Sequence, residues 1–348
     1  LLKEGVDPGD VVVVGSRRGE EEALLADLGV ELVLLPGRGL RRDASPRAIL
    51  SNVGAVAGLA VALVRGVLLV ARRRPRAVVS VGGFAAFAAA AGAVVTARPL
   101  VLVDLDATPG LVHRVLRPFA VAITAAFAGS GGDRAVVTGA PLRDEFLDVT
   151  RTPEARAASR ARLGLANAGT VVAVTSGSLG ASSVNRATCE LAERWRTREA
   201  TTLYHVTGRR DAPEVEDRRR TEGIGEDHWR VVAFEPAIAD LWVACDVAIA
   251  RAGASTIAEL CATGVPSVLV AFPAAPGDHQ GANARRLEAA GAAVVLDDAA
   301  LSGEVLEDVL GGLLGDATRL DAMSAAARSL SRPDAASRIA QVVLDHAR

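Results

Sequence analysis

The sequence is poor in aromatic residues and in cysteine. Aromatic side chains make up 3% of the 348 residues, so the core must be built from alanine, valine and leucine. The three cysteines, Cys189, Cys245 and Cys261, are odd in number and show no CxxC spacing. This argues against a disulfide framework or a zinc site and favours small buried thiols in a reducing compartment.

A large excess of charge of one sign is also absent. The formal net charge is −2 at pH 7, which argues against a general nucleic-acid-binding protein. The sequence has no initiator methionine and no signal peptide. Its first residues, LLKEGVDPGDVVVVG, are typical of a helix end, a turn and a strand, so we expect an N-terminally truncated piece of a longer protein.

Short β-branched runs alternate with helix-length segments rich in alanine, leucine and arginine. The runs in the first half cover residues 11–14, 31–35, 77–81, 99–103, 120–124 and 135–138. Those in the second half cover residues 170–175, 201–207, 229–234, 247–250, 267–270 and 292–296. Unbroken apolar strands that alternate with helices indicate parallel sheets covered on both faces. We therefore predict an α/β protein with two Rossmann-like, doubly wound parallel-sheet domains.

The segment TGAPLRDEF at residues 138–146 marks the seam between the two series. We predict an N-terminal domain over residues 1–141, a second domain over residues 142–325 and a C-terminal helix over residues 326–348 that packs back on the first domain. Ligands of such sheets bind beyond the carboxyl ends of the strands. The cleft between two facing domains is therefore the expected site.

Two loops of small residues suit the binding of an anion. In VAVTSGSLGASSVN, glycines and free N–H groups precede a helix, although an ordinary strand-to-helix turn has the same pattern. In RAGASTIAEL, small side chains leave room for a diphosphate at a helix start, where Ser255 or Thr256 is the expected N-cap. Glu259 inside that helix either accepts two ribose hydroxyls or complements the helix dipole.

A third loop, FPAAPGDHQGANARRL, brings four polar side chains to a helix start. Asp278, His279, Gln280 and Asn283 are close together in the sequence and suit the recognition of sugar hydroxyls. The alternative is that Asp278 only caps the helix and His279 is solvated.

The order of these pieces resembles the donor-binding half of the MurG family: a small-residue loop, then RAGAST-x-x-E, then DHQ-x-x-NA. VVSVGGFAAFAAAAGA is similar to that family's Gly-Gly-Tyr segment, and GAPLRDEF to its Gly-Asn-Pro-Val-Arg linker. The resemblance covers essentially the whole chain. It implies the two-domain GT-B architecture and the transfer of N-acetylglucosamine from UDP-N-acetylglucosamine to a lipid-linked muramyl-pentapeptide in peptidoglycan synthesis.

The resemblance also implies a role for each matching residue. Ser178 would contact the donor diphosphate, and Glu259 would bind the ribose. The other implied contacts are Gly253, Ala254, Ser255 and Thr256 at the diphosphate and nucleotide, Gln280 and Asn283 at the sugar hydroxyls, Arg143 from the linker, and Glu235 at the uracil through its main chain.

Two departures from the family concern the acceptor side. The family's Gly-Gly-Thr-Gly-Gly-His loop, which carries its proposed base, would precede this sequence, so we expect the chain as given to bind donor but to catalyse poorly. The family's His-Glu-Gln-Asn is replaced by Val103, Asp104, Leu105 and Asp106. Asp106 is a weak candidate for an acceptor contact or a base, and drift in a strand-end loop is the alternative.

One segment is long and apolar enough to raise the question of a membrane. Residues 48–71 read AILSNVGAVAGLAVALVRGVLLVA, but Asn52 and Arg65 interrupt them, and an Arg at the centre of a span costs about 2.5–3.5 kcal/mol. We predict a domain helix that docks on an anionic surface at the cytoplasmic face of the cell membrane. The arginines that flank it are Arg38, Arg41, Arg42, Arg47, Arg72, Arg73, Arg74 and Arg76.

We therefore interpret the chain as an inverting UDP-N-acetylglucosamine-dependent transferase with an undecaprenyl-linked acceptor. We identify no Asp-x-Asp-type pair after a strand, and we infer no tightly held metal and no cofactor. One alternative is a related UDP-sugar transferase with another lipid or small-molecule acceptor. The other is a non-catalytic relative that binds UDP-sugar.

Overall fold

The chain forms two compact units. The structure, a computed structural model, describes residues 1–16, 25–36, 46–177 and 180–347. The first unit comprises Leu1–Gly139 together with Asp334–Arg348, and the second comprises Ala140–Pro333. Four residues singled out above lie outside the described residues, namely Arg38, Arg41, Arg42 and Ser178. The side chain of Arg47 lies outside them as well.

Strands and helices alternate along the described residues. The strands are β1 (Val12–Ser16), β2 (Glu31–Leu35), β3 (Val78–Ser80), β4 (Leu100–Asp104), β5 (Ala122–Ala125), β6 (Ala135–Val137), β7 (Thr170–Thr175), β8 (Thr201–Val206), β9 (Trp229–Val232), β10 (Val247–Arg251), β11 (Ser267–Val270) and β12 (Ala293–Leu296). The helices are α1 (Pro46–Arg73), α2 (Gly83–Val95), α3 (Leu111–Leu116), α4 (Pro153–Arg162), α5 (Ser182–Arg194), α6 (Ala212–Thr221), α7 (Ile238–Ala244), α8 (Ala254–Thr263), α9 (His279–Ala289), α10 (Gly303–Leu314), α11 (Ala317–Leu330) and α12 (Ala335–His346). Short 3-10 helices lie at Leu2–Glu4, Pro8–Asp10, Ala26–Leu28, Arg117–Phe119, Asp144–Phe146, Pro276–Asp278 and Asp298–Ala300.

The first unit is built on parallel strands. β1 pairs with β2, and a second sheet has the order β3-β4-β5-β6. β4 is buried along its whole length, as expected for a strand covered on both faces. The C-terminal helix α12 packs against β5, and Arg76 Nη2 donates to the Ala347 carbonyl oxygen at 3.2 Å. The end of the chain therefore belongs to the core of the first unit.

Helices α1 and α2 of the first unit are in direct backbone contact. A Cβ atom added to Gly66 of α1 would lie 2.4 Å from the Ala88 carbonyl oxygen, and one added to Gly92 of α2 would lie 2.8 Å from the Gly66 carbonyl oxygen. Any larger residue at either position would force the helices apart. This contact fixes one face of α1 against α2.

The second unit contains one six-stranded parallel sheet. Its order is β12-β11-β10-β7-β8-β9, which is the strand order of a doubly wound dinucleotide-binding fold. Its core combines aliphatic side chains of the strands with those of α5 and α10 around the fully buried Trp229. The order reverses between β10 and β7, and this position defines where a ligand is expected.

The predicted strands are all present. Each lies within two residues of its predicted ends, because a buried parallel strand is a short, continuous apolar run that turn residues interrupt on both sides. The helix predicted over residues 48–71 is also present as α1. Among the residues that the structure describes, none of the helices is both long and apolar enough to span a bilayer.

Candidate functional site

Three adjacent strands of the second unit carry the three candidate loops at their carboxyl ends. β11, β10 and β7 are neighbours in the sheet, and the loops that follow them begin at Ala271, Ala252 and Ser176. Ligands of doubly wound sheets bind at the point where the strand order reverses, which here lies between β10 and β7. The fold therefore brings the three sequence motifs to one edge of one sheet.

The helix after β10 begins without a side-chain cap. Gly253 is the N-cap residue, with φ −71° and ψ 149°, and it makes no side-chain capping bond. Ser255 and Thr256 lie inside the first turn, so the prediction that one of them is the N-cap is wrong, because the helical conformation already begins at Ala254. The first-turn N–H groups have no partner within the helix, and the helix dipole favours an anion at this end.

The space beside this helix start is open. A Cβ atom added to Gly253 would meet no other atom within 4 Å, and Ser255 is exposed. A phosphate can therefore approach the N–H groups of Ala254, Ser255 and Thr256 without displacing a side chain. The first turn of α8 is therefore open to an anion, and the diphosphate site there stays a prediction.

Glu259 of α8 is held by two donors. Trp242 Nε1 donates to Glu259 Oε2 at 3.2 Å, and Arg143 Nη2 donates to Oε1 at 3.3 Å. Its side chain is 14% exposed, and burial raises the pKa of this carboxyl above its ordinary value, opposed by the Trp242 hydrogen bond and the Arg143 charge. Each oxygen accepts one of these bonds and keeps a further lone pair for a ligand hydroxyl.

Arg143 connects the linker segment to this carboxylate. Its guanidinium also pairs with Glu145 at 3.0 Å and lies 5.2 Å from the centroid of the buried Phe146 ring. All of these residues belong to the second unit. Arg143 therefore lies beside Glu259, and its contact with the donor, which the resemblance implies, stays a prediction.

The loop after β7 contains a position that only glycine can occupy. Gly180 has φ +84°, and an added Cβ atom would lie 2.8 Å from both Asp211 Oδ2 and the Thr207 carbonyl oxygen. Both the backbone conformation and the close approach exclude a side chain here. The neighbouring Ser178, predicted to contact the diphosphate, lies outside the described residues.

A buried amide network supports the base of this loop. Asn185 Nδ2 donates to the Thr207 carbonyl oxygen at 3.0 Å and to Asp211 Oδ2 at 2.9 Å. Asn185 Oδ1 accepts from Ser176 Oγ at 2.5 Å and lies 2.9 Å from His205 Nε2. One side chain of α5 therefore ties the start of the loop to its far side.

His205 is the neutral member of this network. Burial lowers the pKa of His205 to about 3, and Trp229 Nε1 donates to His205 Nδ1 at 3.4 Å. The ring proton therefore lies on Nε2, which donates to Asn185 Oδ1.

Arg251, the first residue of the RAGAST motif, is a supporting residue that the sequence analysis missed. Its Nη1 lies 2.6 Å from Asp298 Oδ1, and its Nη2 donates to Ser183 Oγ at 2.8 Å. Ser183 Oγ donates in turn to Asp298 at 2.6 Å. A charged residue at the end of an otherwise apolar strand was the available signal, since such a residue must find partners where the strand leaves the core.

The two amides predicted to read sugar hydroxyls contact the backbone of the neighbouring loops. Gln280 Oε1 accepts from the Phe272 backbone N–H at 3.0 Å, and Asn283 Nδ2 donates to the Ala252 carbonyl oxygen at 3.0 Å. Asn283 is fully buried. Asp278 occupies the N-cap position of α9 but makes no side-chain capping bond. These residues therefore fix the loops after β10 and β11 to each other.

The side chain of Glu235 is occupied by local partners. It accepts a hydrogen bond from the Tyr204 hydroxyl and another from the Ala237 backbone N–H, the latter at 2.8 Å. Burial, followed by the hydrogen bond to Glu235, raises the pKa of Tyr204. The side chain of Glu235 is therefore engaged within the protein, and the main-chain contact with uracil that the resemblance implies stays a prediction.

Asp106 lies in the first unit, in the loop between β4 and α3, where it is partly buried. Asp104 and Asp106 have the spacing of an Asp-x-Asp pair after a strand, but the Asp104 carboxylate is engaged by His113 and Arg117. Over the described ranges, no three or more His, Cys, Asp or Glu side chains are grouped so that they could hold a metal ion.

The chain is similar to known proteins over most of its length. The model of the glycosyltransferase family 28 C-terminal domain matches residues 171–339. The UDP-N-acetylglucosamine–N-acetylmuramyl-(pentapeptide) pyrophosphoryl-undecaprenol N-acetylglucosamine transferase of Alkalilimnicola ehrlichii is 35% identical, over 100% of this chain and 93% of the relative. The transferase of the same name from Desulforudis audaxviator is 33% identical over 98% of this chain and 91% of the relative. The crystal structure of Acinetobacter baumannii MurG matches the fold with a TM-score of 0.70 at 22% identity, covering 96% of this chain and 90% of that one.

Proposed function

Because this chain belongs to the MurG family of UDP-N-acetylglucosamine–N-acetylmuramyl-(pentapeptide) pyrophosphoryl-undecaprenol N-acetylglucosamine transferases, we propose that it transfers N-acetylglucosamine from UDP-N-acetylglucosamine to the undecaprenyl-linked muramyl-pentapeptide. The observation that carries the proposal is the similarity to these transferases over essentially the whole chain. This reaction belongs to peptidoglycan synthesis, and through it to cell wall growth, cell shape and cell division.

The second unit is the proposed donor domain. The diphosphate lies at the uncapped start of α8, against Ala254, Ser255 and Thr256, and the ribose hydroxyls donate to the two oxygens of Glu259. Each hydrogen bond to a carboxylate contributes roughly 1.5–3 kcal/mol. The helix start adds roughly 0.3–1 kcal/mol for each charge placed near it. Glu259 is therefore the main source of affinity among these groups.

The remaining donor contacts follow from the loops around α8. Gln280 and Asn283 lie at the sugar end, Ser178 lies at the diphosphate, and the main chain at Glu235 meets the uracil. Arg143, with its guanidinium beside Glu259, supplies positive charge to the departing diphosphate.

The proposed reaction is a direct displacement in which the acceptor is bound by the first unit. The acceptor hydroxyl oxygen forms a bond to the anomeric carbon, the bond from that carbon to the diphosphate oxygen breaks, and the configuration inverts. The hydroxyl proton passes to a base, and UDP leaves. Asp106 is the proposed acceptor-side carboxylate of the described residues.

Transfer of labelled N-acetylglucosamine from its UDP form to a lipid-linked muramyl-pentapeptide tests this function. We expect labelled lipid and UDP in equal amounts, and loss of both with Glu259→Ala. If the protein binds the donor but transfers the sugar only to other lipid or small-molecule acceptors, it is a relative with a different acceptor class. The replacement of the family's amide by the carboxylic acid of Asp106 favours this alternative. Absence of donor binding would reject the site on α8.

We further propose that the first unit docks on an anionic membrane surface at the cytoplasmic face. Val61, Val64 and Leu68 of α1 are 46%, 60% and 46% exposed, and their spacing places them on one helical face. Exposed arginines lie on or beside the same helix, namely Arg65, Arg72, Arg74 and Arg76. An apolar stripe with basic neighbours is typical of interfacial attachment, and each arginine near the surface contributes about 1 kcal/mol.

Co-sedimentation with phosphatidylglycerol vesicles and with neutral phosphatidylcholine vesicles tests the docking surface. We expect binding to the anionic vesicles that weakens with salt, and a further loss in a Val64→Asp, Leu68→Asp double variant. Val136→Asp is the matched control, because Val136 of β6 is also exposed, at 43%, but lies in a different element. Equal binding by the double variant and the wild type would reject α1 as the docking helix.

A further inference from the structure

A buried serine, histidine and aspartate form a hydrogen-bonded chain in the first unit. Ser80 Oγ lies 2.9 Å from His113 Nε2, and His113 Nδ1 lies 2.5 Å from Asp104 Oδ1. Ser80 and Asp104 end the neighbouring parallel strands β3 and β4, and His113 lies on α3. We refer to Ser80, His113 and Asp104 as the relay.

The direction of the hydrogen bonds in the relay follows from its partners. Asp104 Oδ2 accepts from Arg117 Nη2 at 3.1 Å, and Asp104 Oδ1 is the acceptor for a proton on His113 Nδ1. His113 Nε2 is then the acceptor for the Ser80 hydroxyl. Ser80 Oγ in turn accepts from the Gly82 backbone N–H at 3.4 Å. With the His113 proton on Nδ1, each donor in this chain has an acceptor.

The relay ends at a turn that precedes α2. Gly82 and Gly83 have φ +92° and +82°, a left-handed conformation that strongly favours glycine. A Cβ atom added to Gly82 would lie 3.8 Å from His113 Cε1 and Nε2, so the imidazole ring lies directly under the turn. The relay therefore links the turn after β3 to the strand end that leads into the Asp106 loop.

The relay does not have the exposure of a hydrolase triad. Ser80 is 1% exposed, and a nucleophile must reach the substrate. Its hydroxyl is instead directed into the protein, between His113 and the Gly82 N–H. This geometry fits a role in holding backbone, not in attacking a substrate.

We propose that Ser80, His113 and Asp104 are positioning residues for the acceptor: they hold the turn at Gly82 and Gly83 and the loop that carries Asp106 in one arrangement, and transfer to the acceptor depends on it. The inference rests on the proposed function, because it places the acceptor at the carboxyl edge of the first unit's four-stranded sheet. Misplacement of a reacting group by about 1 Å can cost about a hundredfold in rate, so the relay matters without contacting substrate.

Histidine tautomers measured by 15N NMR test the geometry without any assay of transfer. The protein has five histidines, and His113→Gln and His205→Gln assign the two relevant signals. We expect the His113 tautomer with its proton on Nδ1 and the His205 tautomer with its proton on Nε2. A His113 tautomer with its proton on Nε2 would overturn the relay.

Steady-state kinetics test the positioning role. In Ser80→Ala, we expect kcat to fall or the acceptor KM to rise by about ten- to a hundredfold, while the Kd for UDP-N-acetylglucosamine stays within about twofold. Thr124→Val is the matched control: Thr124 is a fully buried hydroxyl on the adjacent strand β5, and its Oγ1 has no hydrogen-bond partner. We expect this control to transfer as the wild type does.

The outcomes separate this inference from the proposed function. Transfer by the wild type and equal transfer by Ser80→Ala would overturn the relay but leave the proposed function intact, whereas no transfer by the wild type would contradict the proposed function itself. A parallel loss of donor affinity in Ser80→Ala would indicate a general folding defect and would also overturn the positioning role. His113→Gln provides a second variant, for which we again expect impaired transfer to the acceptor and an unchanged Kd for UDP-N-acetylglucosamine.

Discussion

The Glu259 carboxylate offers the sharpest test of the donor site. Each of its oxygens already accepts one hydrogen bond, from Trp242 or from Arg143, and retains one lone pair for a ribose hydroxyl. Glu259→Gln replaces one oxygen with an amide donor, so one hydrogen bond to the ligand is lost. A hydrogen bond to a charged group is worth roughly 1.5–3 kcal/mol, which corresponds to a Kd about 10- to 150-fold weaker.

Isothermal titration calorimetry with UDP-N-acetylglucosamine, UDP-glucose and UDP measures this change directly. We expect all three ligands to weaken by similar factors, because they share the ribose, and the wild type to prefer the N-acetyl sugar. Glu145→Gln is the matched control, since Glu145 pairs with the same arginine at 3.0 Å but is 40% exposed. A folded Glu259→Gln variant that binds donor within about threefold of the wild type would refute the assignment of Glu259 to the ribose.

Three further outcomes follow from geometry within the second unit. Donor affinity, measured by calorimetry from pH 8 downwards, should fall as Glu259 is protonated; since its pKa is raised above 4.5, the loss begins at a higher pH than for an ordinary glutamate. Arg143→Gln should move that loss to still higher pH, because the Arg143 charge lowers the pKa of Glu259, and a shift to lower pH would contradict the pairing. Gly180→Ala should lower the free energy of unfolding in urea by about 1–3 kcal/mol because of its left-handed φ and blocked Cβ. Gly311→Ala is the control, because Gly311 lies inside α10 with open space around the added Cβ, and this variant should raise the free energy of unfolding by about 0.5–1 kcal/mol. Equal effects of the two variants would argue against backbone strain at Gly180. Asn185→Leu should lower the free energy of unfolding by about 2–4 kcal/mol, because several buried groups lose their hydrogen-bond partner. An unchanged free energy of unfolding would show that this hydrogen-bond network adds little stability.

The strands and the donor motifs were predictable because each depends on residues close together in the sequence. A run such as VAIA, at residues 247–250, can only be a buried strand when loop residues follow it directly. The RAGAST loop and Glu259 lie within nine residues of one another, so their relation to one helix is visible in the sequence. The order of strand, loop and helix at α8 was therefore predictable, apart from the N-cap residue, and the donor site there stays a prediction.

Contacts between distant residues were not predictable in the same way. Ser80 and His113 are 33 positions apart, and Arg251 at the end of β10 pairs with Asp298, which follows β12. Asn283 also donates from its amide group to the Ala252 carbonyl oxygen, a contact that its motif does not reveal. Such pairings depend on which strand ends become neighbours in the sheet, and the strand order is not written in any single motif.

The contact between Gly66 and Gly92 fixes the distance between helices α1 and α2. The two helices meet backbone to backbone, so α2 cannot move relative to α1 through the bending of a long side chain, including when α1 lies on a lipid surface as proposed. The turn at Gly83 lies nine residues along α2 from Gly92, about 14 Å at the rise of an α-helix. The acceptor's sugar is tethered to the bilayer through its lipid, so its distance from the surface is also limited. If α1 docks on the membrane as proposed, this rigid helix pair holds the turn at one fixed distance from the bilayer, and the tethered acceptor sugar has to be met only along the surface.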